Sequence, residues 1–497
     1  MSDERGTSVS LDPADWTTHR RVAHEALDLV LDYQEGVAEQ PVWRPMPPEK
    51  EARLETPLPA EGEGIEAAFR EFRDTVRPYV LGNPHPRFWG WVPGQGTPGG
   101  VVAELLAAGV NAVTGPFNDS SARVEAQVID WLREAVGMPE GTGGVLTSGG
   151  SVANLIGLAV GRDATAEADV PRDGLIAEGR TPGVYASEAV HSSVKKSLQL
   201  LGMGRSALRL VPVDEEYRIR VDRLEEMLAE DRRDGRDVSP ALLVGSAGTV
   251  DTGAFDDLEA LADVARREDL WLHVDGAFGA LAALAPDLRH LVAGMERADS
   301  LAFDAHKWMS APYDVGVVLV RDRQAHRRTF TVEASYLSAL PRGTGARPQS
   351  TDRLGPQLSR GFRALAVWMS IREHGIRRFG RVVRECVDQA QHLASRVRAH
   401  PDLELMAPVP LCVVCFRYTG AALTPEQEDA LNREILMRLQ EQGIAVPSST
   451  VIDGRFVLRV ANTNHRTRRQ DFDRLVEEAV RLGEVAGREQ MVTATDG

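Results

Sequence analysis

The sequence predicts an α/β protein whose large domain holds a mostly parallel sheet, preceded by a helical arm and followed by a small α+β domain. Three observations lead to this prediction. Short apolar runs alternate with amphipathic segments between residues 144 and 304, which is typical of parallel strands joined by helical crossovers. Before them, apolar residues recur at helical spacing over residues 12–39. After residue 375, long helical patterns flank isolated strands.

The N-terminal helical arm is predicted to comprise residues 1–90. One helix is expected over residues 12–39 and a second over residues 64–76. The proline-rich stretch 41–59 between them is expected to be extended. Because both helices are amphipathic, their apolar faces need a surface to pack against.

The large α/β domain is predicted over residues 91–375 and the small α+β domain over residues 376–485, with a disordered tail over residues 486–497. Strands of the large domain are expected at 144–147, 183–186, 208–213, 241–246, 270–275 and 300–303, and helices at 151–160, 191–201, 222–230 and 257–267. The small domain is expected to hold strands at 409–418 and 455–461 and helices at 378–400, 425–442 and 469–483.

Composition narrows the class of function. The chain has 497 residues, of which 26% are charged and 43% apolar, as in ordinary globular proteins. A net charge of −16 argues against nucleic acid or an anionic membrane as partner, because there is no basic stripe to neutralise phosphates. The polar start of the chain does not resemble a signal peptide, and no apolar run reaches membrane-spanning length. With three cysteines, the expected location is the cytoplasm.

Two of the cysteines, Cys412 and Cys415, form a C-x-x-C pattern inside the apolar run 409–418. Neither a second pair nor a nearby histidine accompanies them. Buried thiols of a strand are therefore expected rather than metal ligands, and no metal site is predicted.

A lysine follows closely on a predicted buried strand. The run 300–303 is mostly apolar, and Lys307 stands after it between His306 and Trp308. Partial desolvation would make the amine nucleophilic, as Schiff-base chemistry needs, although a lysine that extends from a strand end to solvent is the alternative. Asp275 ends the apolar strand before it, and ligands bind outside the carboxyl ends of such strands. The pair suits pyridoxal phosphate, with the lysine on its aldehyde and the acid on its ring nitrogen.

Two segments then carry a family resemblance. The stretches 273–279 (HVDGAFG) and 304–308 (DAHKW) resemble signatures of the group II pyridoxal-phosphate decarboxylases, which include the aromatic L-amino-acid, histidine, glutamate and tyrosine decarboxylases. The resemblance runs from about residue 12 to residue 482. It implies a fold-type-I enzyme that forms a homodimer with shared active sites, in which the N-terminal arm packs on the partner subunit.

A glycine-rich turn over residues 147–154 joins a strand to a helix. Its backbone N–H groups and the helix dipole would favour a phosphate, although such a turn alone is a weak signal. The resemblance implies that Gly150 and Ser151 hold the cofactor phosphate. It also implies that His191 stacks on the cofactor ring, although a histidine at a helix start could serve only as a cap.

The resemblance implies further cofactor contacts. Asp275 is expected to be ionised opposite a protonated ring nitrogen. Asp304 replaces an asparagine of several relatives, and no contact with the phosphate is expected from it because both groups are acidic. The other residues expected at the cofactor are Thr249, Ala277 and His306.

Two segments are expected to act across the subunit interface. Residues 331–337 resemble the mobile catalytic loop of the family, and Tyr336 matches the tyrosine that reaches over from the partner subunit and protonates the substrate Cα. Residues Leu358 and Ser359 take the place of a stretch that contacts the partner's cofactor phosphate.

The aromatic loop 85–93 resembles the substrate-pocket segment of the family, although an aromatic core cluster is the alternative. Two tryptophans in it favour an aromatic or bulky apolar substrate side chain. Val92 and Gly94 replace an aromatic residue and a hydroxyl of the aromatic decarboxylases, so a small or carrier-bound amino acid stays open. The residues expected at the substrate are Trp89, Trp91, Val92 and Pro93.

The predicted function is decarboxylation of an L-amino acid to the amine and CO2. Three alternatives remain. An aldehyde synthase of the same fold would use O2 to decarboxylate and deaminate, but such enzymes tend to lose the loop tyrosine or the stacking histidine. An aminotransferase or another lyase of this fold is disfavoured by the His-Lys-Trp motif. A non-catalytic interaction protein that kept the fold is the third alternative.

Overall fold

A seven-stranded sheet forms the centre of the protein in this computed structural model, which describes residues 10–234, 238–332, 335, 339–346, 350–420 and 423–495. Its strands lie in the order β1-β7-β6-β5-β4-β2-β3. Neighbours from β3 to β6 pair in parallel, whereas β7 is antiparallel to both β1 and β6. The strands are β1 (Gly143–Thr147), β2 (Thr181–Ser187), β3 (Leu208–Val211), β4 (Val238–Ser246), β5 (Trp271–Asp275), β6 (Ser300–Asp304) and β7 (Gly316–Val320).

Both faces of this sheet are covered, so every residue of β5, β6 and β7 is buried. Side chains alternate between the two faces: Leu272 and Val274 belong to one apolar core, and Trp271 belongs to the other. The α-helices are α1 (Trp16–Glu35), α2 (Pro48–Glu51), α3 (Ile65–Glu71), α4 (Pro98–Val110), α5 (Ser120–Ala135), α6 (Gly150–Thr165), α7 (Val170–Asp173), α8 (Ser192–Leu200), α9 (Val221–Asp234), α10 (Leu258–Glu268), α11 (Arg323–Phe330), α12 (Arg363–His374), α13 (Ile376–Ala399), α14 (Pro425–Glu441) and α15 (Arg469–Thr495).

Strand β7 places two functional segments side by side. It is inserted between β1 and β6, so the turn after β1 and the lysine segment after β6 meet at one edge of the sheet. The contact is close, since a Cβ on Gly316 would lie 2.4 Å from the carbonyl carbon of Gly149. β7 is absent from the predicted strands because a five-residue apolar run has no periodicity that distinguishes a strand from a buried helix segment.

The N-terminal part contains the two predicted helices, shortened to α1 and α3. Helix α1 begins at Asp15, whose carboxylate accepts hydrogen bonds from the backbone N–H groups of Thr17 and Thr18. Several large apolar side chains of this part are exposed, among them Trp16 at 57% and Phe72 at 42%. Among the helices of the described residues, none is both long and apolar enough to cross a membrane.

A second, four-stranded antiparallel sheet lies in the C-terminal part, in the order β10-β11-β9-β8. Helix α15 continues to Thr495, whereas a disordered tail is expected from residue 486. Leu482 and Ala486, four positions apart on one helix face, are both buried, so apolar packing of the helix continues to residue 486. The domain boundaries at residues 90, 375 and 485 stay predictions. The strands are β8 (Leu403–Leu405), β9 (Val413–Tyr418), β10 (Ser448–Ile452) and β11 (Arg455–Ala461).

Candidate active site

A cavity of about 440 Å³ opens at the carboxyl ends of the central strands. A larger cavity of about 800 Å³ lies between α5, α12 and α13, and none of the predicted site residues lines it. The smaller cavity collects most of the predicted cofactor residues, as expected for an α/β sheet. Those that line it are Gly150, Ser151, His191, Thr249, Asp275, Ala277, His306 and Lys307.

Lys307 is held just beyond the end of β6. Its Nζ lies 2.9 Å from Oδ2 of Asp304, and the Asp304 side chain is 4% exposed. Trp308 anchors the segment, because its indole N–H donates to the carbonyl of Phe278 at 2.6 Å and its ring stacks on the Phe278 ring. The lysine is therefore fixed between a buried carboxylate and a buried tryptophan, and a lysine that extends freely to solvent is not observed.

His306, next to the lysine, faces the same carboxylate. Its Nδ1 accepts from the backbone N–H of Val315 at 3.3 Å, so Nε2 lies on the other side of the ring, 3.8 Å from Oδ2 of Asp304. Burial lowers the pKa of His306, and the nearby Asp304 only partly offsets this. His306 is therefore a neutral hydrogen-bonding group at neutral pH.

Asp275 presents a fixed carboxylate at the end of β5. The side chain is buried, with Oδ1 accepting from the backbone N–H of Ala277 at 3.1 Å and Oδ2 from the amide of Asn154 at 2.9 Å. Two donors from different directions set the plane of the carboxylate. The remaining lone pairs lie toward the cavity that Asp275 lines.

The turn between β1 and α6 is shaped for close approach of a ligand. Gly149 has φ of +138°, a conformation that side chains disfavour. A Cβ on Gly150 would lie 3.0 Å from both the Ala277 Cβ and Oδ2 of Asp304. The first turn of α6 has N–H groups without intrahelical partners, and no side chain among the described residues caps it. This is a phosphate-sized cradle at the positive end of a helix dipole.

His191 and Thr249 line opposite parts of the cavity wall. His191 caps α8, since its Nδ1 accepts from the backbone N–H of Ser193 at 3.2 Å. The ring also lines the cavity, so capping and a cofactor contact are compatible. The Thr249 hydroxyl accepts from the backbone N–H of Ala254 at 3.1 Å, which fixes the side chain in its turn.

Some residues of the aromatic loop 85–93 line the cavity, and others are buried in the protein core. Trp91 and Val92 line the cavity. Trp89 does not, because it is fully buried, stacks on Phe472 and donates its indole N–H to Thr467. The expected substrate contact by Trp89 is therefore corrected to a core position.

Pro93 is not part of the cavity lining either. Its carbonyl accepts from the side chain of Gln95. Trp91 has φ of +54°, and its carbonyl accepts from Nη1 of the buried Arg459 at 2.9 Å. Arg459 therefore stabilises the turn that exposes Trp91 at the cavity.

The residues expected to act on the partner's site do not line the cavity of their own chain. Leu358 is 38% exposed, and Ser359 is also exposed. Tyr336 lies outside the described residues. The predicted roles of these three residues stay predictions.

Sequence reasoning missed two residues of the site. Asp304 makes an ion pair with Lys307, whereas the sequence prediction concerned only the phosphate, with which no contact of Asp304 is expected. Asn154 binds the Asp275 carboxylate from one turn into α6. Helical spacing indicates Asn154, because a polar residue four positions after Gly150 lies on the same helix face.

The site fits pyridoxal phosphate. The glycine cradle suits the phosphate, the Asp275 carboxylate suits a protonated ring nitrogen, and Lys307 supplies an amine beside them. A fold of this type with a lysine and an acid at neighbouring strand ends defines a pyridoxal-phosphate enzyme.

Comparison with known proteins leads to the same class of enzyme. The family model "Pyridoxal-dependent decarboxylase conserved domain" matches residues 47–419, and the chain belongs to this family. An aromatic-L-amino-acid decarboxylase of Bacillus atrophaeus is 31% identical over 94% of this chain and 95% of its own length. The predicted family, fold type and cofactor are thereby confirmed: the protein is a pyridoxal-phosphate-dependent decarboxylase.

A solved structure and a plant enzyme extend the comparison. A structure titled as Oryza sativa TDC with PLP and tryptamine has a TM-score of 0.88 at 27% identity, covering 96% of this chain and all of the other. A phenylacetaldehyde synthase of Petunia hybrida is 27% identical over 92% of this chain and 91% of its own length. The chain is therefore similar both to a protein named as a decarboxylase and to one named as an aldehyde synthase.

Proposed function

We propose that the enzyme decarboxylates a free L-amino acid with an aromatic or bulky apolar side chain, releasing the amine and CO2. The observation that carries the proposal is the convergence of Lys307, Asp275, His191 and the glycine cradle on one cavity beside Trp91. When bound, pyridoxal phosphate supplies the aldehyde that takes up the substrate amine and the ring that accepts the electron pair left by CO2.

Lys307 would supply the amine that holds the cofactor through its aldehyde. Asp304 positions that amine, because its carboxylate holds Nζ at 2.9 Å. The Trp308 hydrogen bond to Phe278 anchors the segment that carries the lysine. These contacts would keep Nζ beside the cofactor while substrate and product exchange.

Asp275 holds a proton on the cofactor ring nitrogen. A carboxylate beside that nitrogen favours its charged form, and the Ala277 and Asn154 donors keep the carboxylate in place. His191 covers one face of the ring. Both residues favour loss of CO2 from the bound substrate, the acid through charge and the histidine through position.

The phosphate is held by the turn after β1. Gly150 and Ser151 offer backbone N–H groups of the first turn of α6, and the helix dipole adds to the attraction. His306 and Thr249 line the same cavity and hold the cofactor from two further sides. Ala277, next to Gly150, limits the width of the cradle.

The substrate side chain is expected against Trp91 and Val92. Trp91 is 57% exposed at the cavity mouth, and an exposed indole offers a flat apolar surface for another ring. This supports an aromatic or bulky apolar substrate over a small or carrier-bound one.

We also propose a cytoplasmic homodimer with shared active sites. Exposed apolar side chains on the N-terminal part and on α4, such as Trp16, Phe72 and Leu105, support burial against a second copy. In that dimer Tyr336 would protonate the substrate Cα in the partner's site, and Leu358 and Ser359 would contact the partner's phosphate.

A CO2-release screen over the common L-amino acids tests this function. We expect most CO2 from an aromatic or bulky apolar amino acid, with one amine formed per CO2. Release of aldehyde, ammonia and peroxide in place of amine would identify the aldehyde synthase alternative. CO2 from only a small amino acid would refute the proposed substrate class.

Another lysine provides a matched control for the screen. The sequence contains four lysines, at positions 50, 195, 196 and 307. Lys307→Ala should abolish CO2 release. Lys196→Ala removes an exposed lysine and should leave it unchanged. Equal CO2 release by wild type and Lys307→Ala would remove Lys307 from the mechanism.

A further inference from the structure

A buried chain of hydrogen bonds lies behind the cavity and centres on Asn154. This residue is 1% exposed. Its Nδ2 donates to Oδ2 of Asp275 at 2.9 Å and to Oγ of Ser193 at 3.0 Å. Its Oδ1 lies 2.9 Å from Nε2 of His273. One amide therefore contacts three polar side chains from two elements, His273 and Asp275 of β5 and Ser193 of α8.

The Asn154 amide sets the direction of the bonds in this chain. Its Oδ1 can only accept, so Nε2 of His273 donates to it. Nδ1 of the neutral ring then accepts from the Ser300 hydroxyl at 2.8 Å, and Oγ of Ser300 accepts from the Trp271 indole N–H at 2.9 Å. The Asn154 NH2 group is left to donate to Asp275 and Ser193.

His273 is neutral, as this arrangement needs. Burial lowers its pKa to about 4. The ring is also held tightly, because a Cβ on Gly157 would lie 2.5 Å from it. The amide of Asn154 is therefore fixed in orientation by groups that neither titrate near neutral pH nor have room to move.

The two donor hydrogens of Asn154 serve two different cofactor residues. One reaches Asp275 directly. The other reaches Ser193, whose hydroxyl lies 2.8 Å from Nδ1 of His191. The backbone N–H of Ser193 also donates to that nitrogen, so Nδ1 of His191 accepts and its ring proton lies on Nε2.

We propose that Asn154 is a positioning residue whose single amide orients two groups at the cofactor ring. It holds Asp275 directly, at the ring edge, and His191 through Ser193, at the ring face. We call this branched arrangement the fork. This inference rests on the proposed function, in which Asp275 meets the ring nitrogen and His191 the ring face. A shift of the amide moves both groups together. Asn154 itself does not touch the reacting atoms.

Two double-mutant cycles on cofactor affinity test the fork. Apoenzyme is titrated with pyridoxal phosphate, and Kd is measured for Asn154→Ala, Ser193→Ala and Asp275→Asn, and for Asn154→Ala combined with each of the other two. If both arms act through the amide, Ser193→Ala and Asp275→Asn should each raise Kd by less in the Asn154→Ala background. In each cycle we expect the rise in Kd caused by the second substitution to be smaller by about threefold or more in the Asn154→Ala background than in the wild type, as for residues in one network.

Asn432 provides the matched control. It is fully buried and its amide also makes three hydrogen bonds, to the backbone N–H and C=O of Tyr418 and the C=O of Glu428. Asn432→Ala should combine additively with Ser193→Ala and with Asp275→Asn. If Asn154→Ala does not fold, Asn154→Leu takes its place, since it keeps most of the side-chain volume and removes both donors without adding a charge beside Asp275.

Each outcome decides the proposal. Additive effects in both cycles would overturn it, and non-additivity in only one of the two cycles would overturn the fork, leaving one arm. Non-additivity in both cycles, with additivity in the Asn432 controls, supports it. Failure of the proposed function is distinguishable, because a wild-type apoenzyme that binds no cofactor at all would refute that function before any cycle is measured.

Discussion

The buried ion pair between Glu125 and Arg360 should contribute strongly to stability. Two of its N···O distances are 2.7 and 2.9 Å, and the side chains are 2% and 3% exposed. Glu125 also accepts from the backbone N–H of Leu146 at 3.0 Å. Glu125→Ala leaves the Arg360 charge unpaired and the Leu146 N–H without its acceptor. Breaking a buried pair costs about 3–5 kcal/mol, so we expect a loss of that size in the free energy of unfolding.

Urea-induced unfolding at equilibrium measures this loss, and a surface pair calibrates it. Arg21 and Glu25 form a comparable ion pair with about half of each side chain exposed. Glu25→Ala should cost no more than about 1 kcal/mol. Replacing both buried partners by apolar residues, Glu125→Leu with Arg360→Met, should recover most of the loss. A Glu125→Ala cost equal to that of Glu25→Ala would refute the reasoning.

Three further predictions follow from the site and its surroundings. Asp275→Asn removes the charge that holds the ring-nitrogen proton, and single-turnover CO2 release at saturating cofactor should fall about a hundredfold or more; near-normal release would contradict the assignment. Tyr336→Phe deletes the predicted proton donor, which is worth about a hundred- to ten-thousand-fold, so amine per CO2 should fall and aldehyde and peroxide should rise; a normal amine rate would exclude Tyr336. Burial lowers the pKa of His326 from 6.5 to about 4, so the unfolded state binds more protons between these values and stability should fall as pH drops from 6.5 toward 4. His326→Asn should flatten the change in urea midpoint between pH 7 and pH 5, and an unchanged slope would disprove that contribution.

The parts of the site that sequence could predict are those in which one residue follows a strand directly. Asp275 ends β5 and Lys307 follows β6. These two strands are parallel neighbours and bring their carboxyl ends to one edge, so local sequence is sufficient for this pair. Gly150 follows β1, which is joined to β6 through the antiparallel β7, a strand that the sequence does not predict.

The remaining parts depend on packing between distant segments. Trp89 and Trp91 are two positions apart and chemically identical, yet only the contact with Phe472 on α15 decides that Trp89 belongs to the core. Glu125 and Arg360 are likewise separated by most of the large domain. Pairing of this kind leaves no local pattern. The pair of Asp304 with Lys307 is local by contrast, because the two residues are three positions apart.

Reductive trapping of the cofactor tests the central claim most directly. Holoenzyme is treated with borohydride and digested, and the pyridoxyl-modified lysine is located by mass spectrometry. With four lysines in the chain, Lys50, the adjacent pair Lys195 and Lys196, and Lys307 lie in three distinguishable peptides. We predict modification of Lys307 in the wild type and none in Lys307→Ala. Modification of Lys50, Lys195 or Lys196 in place of Lys307, or a retained adduct in Lys307→Ala, would contradict the account.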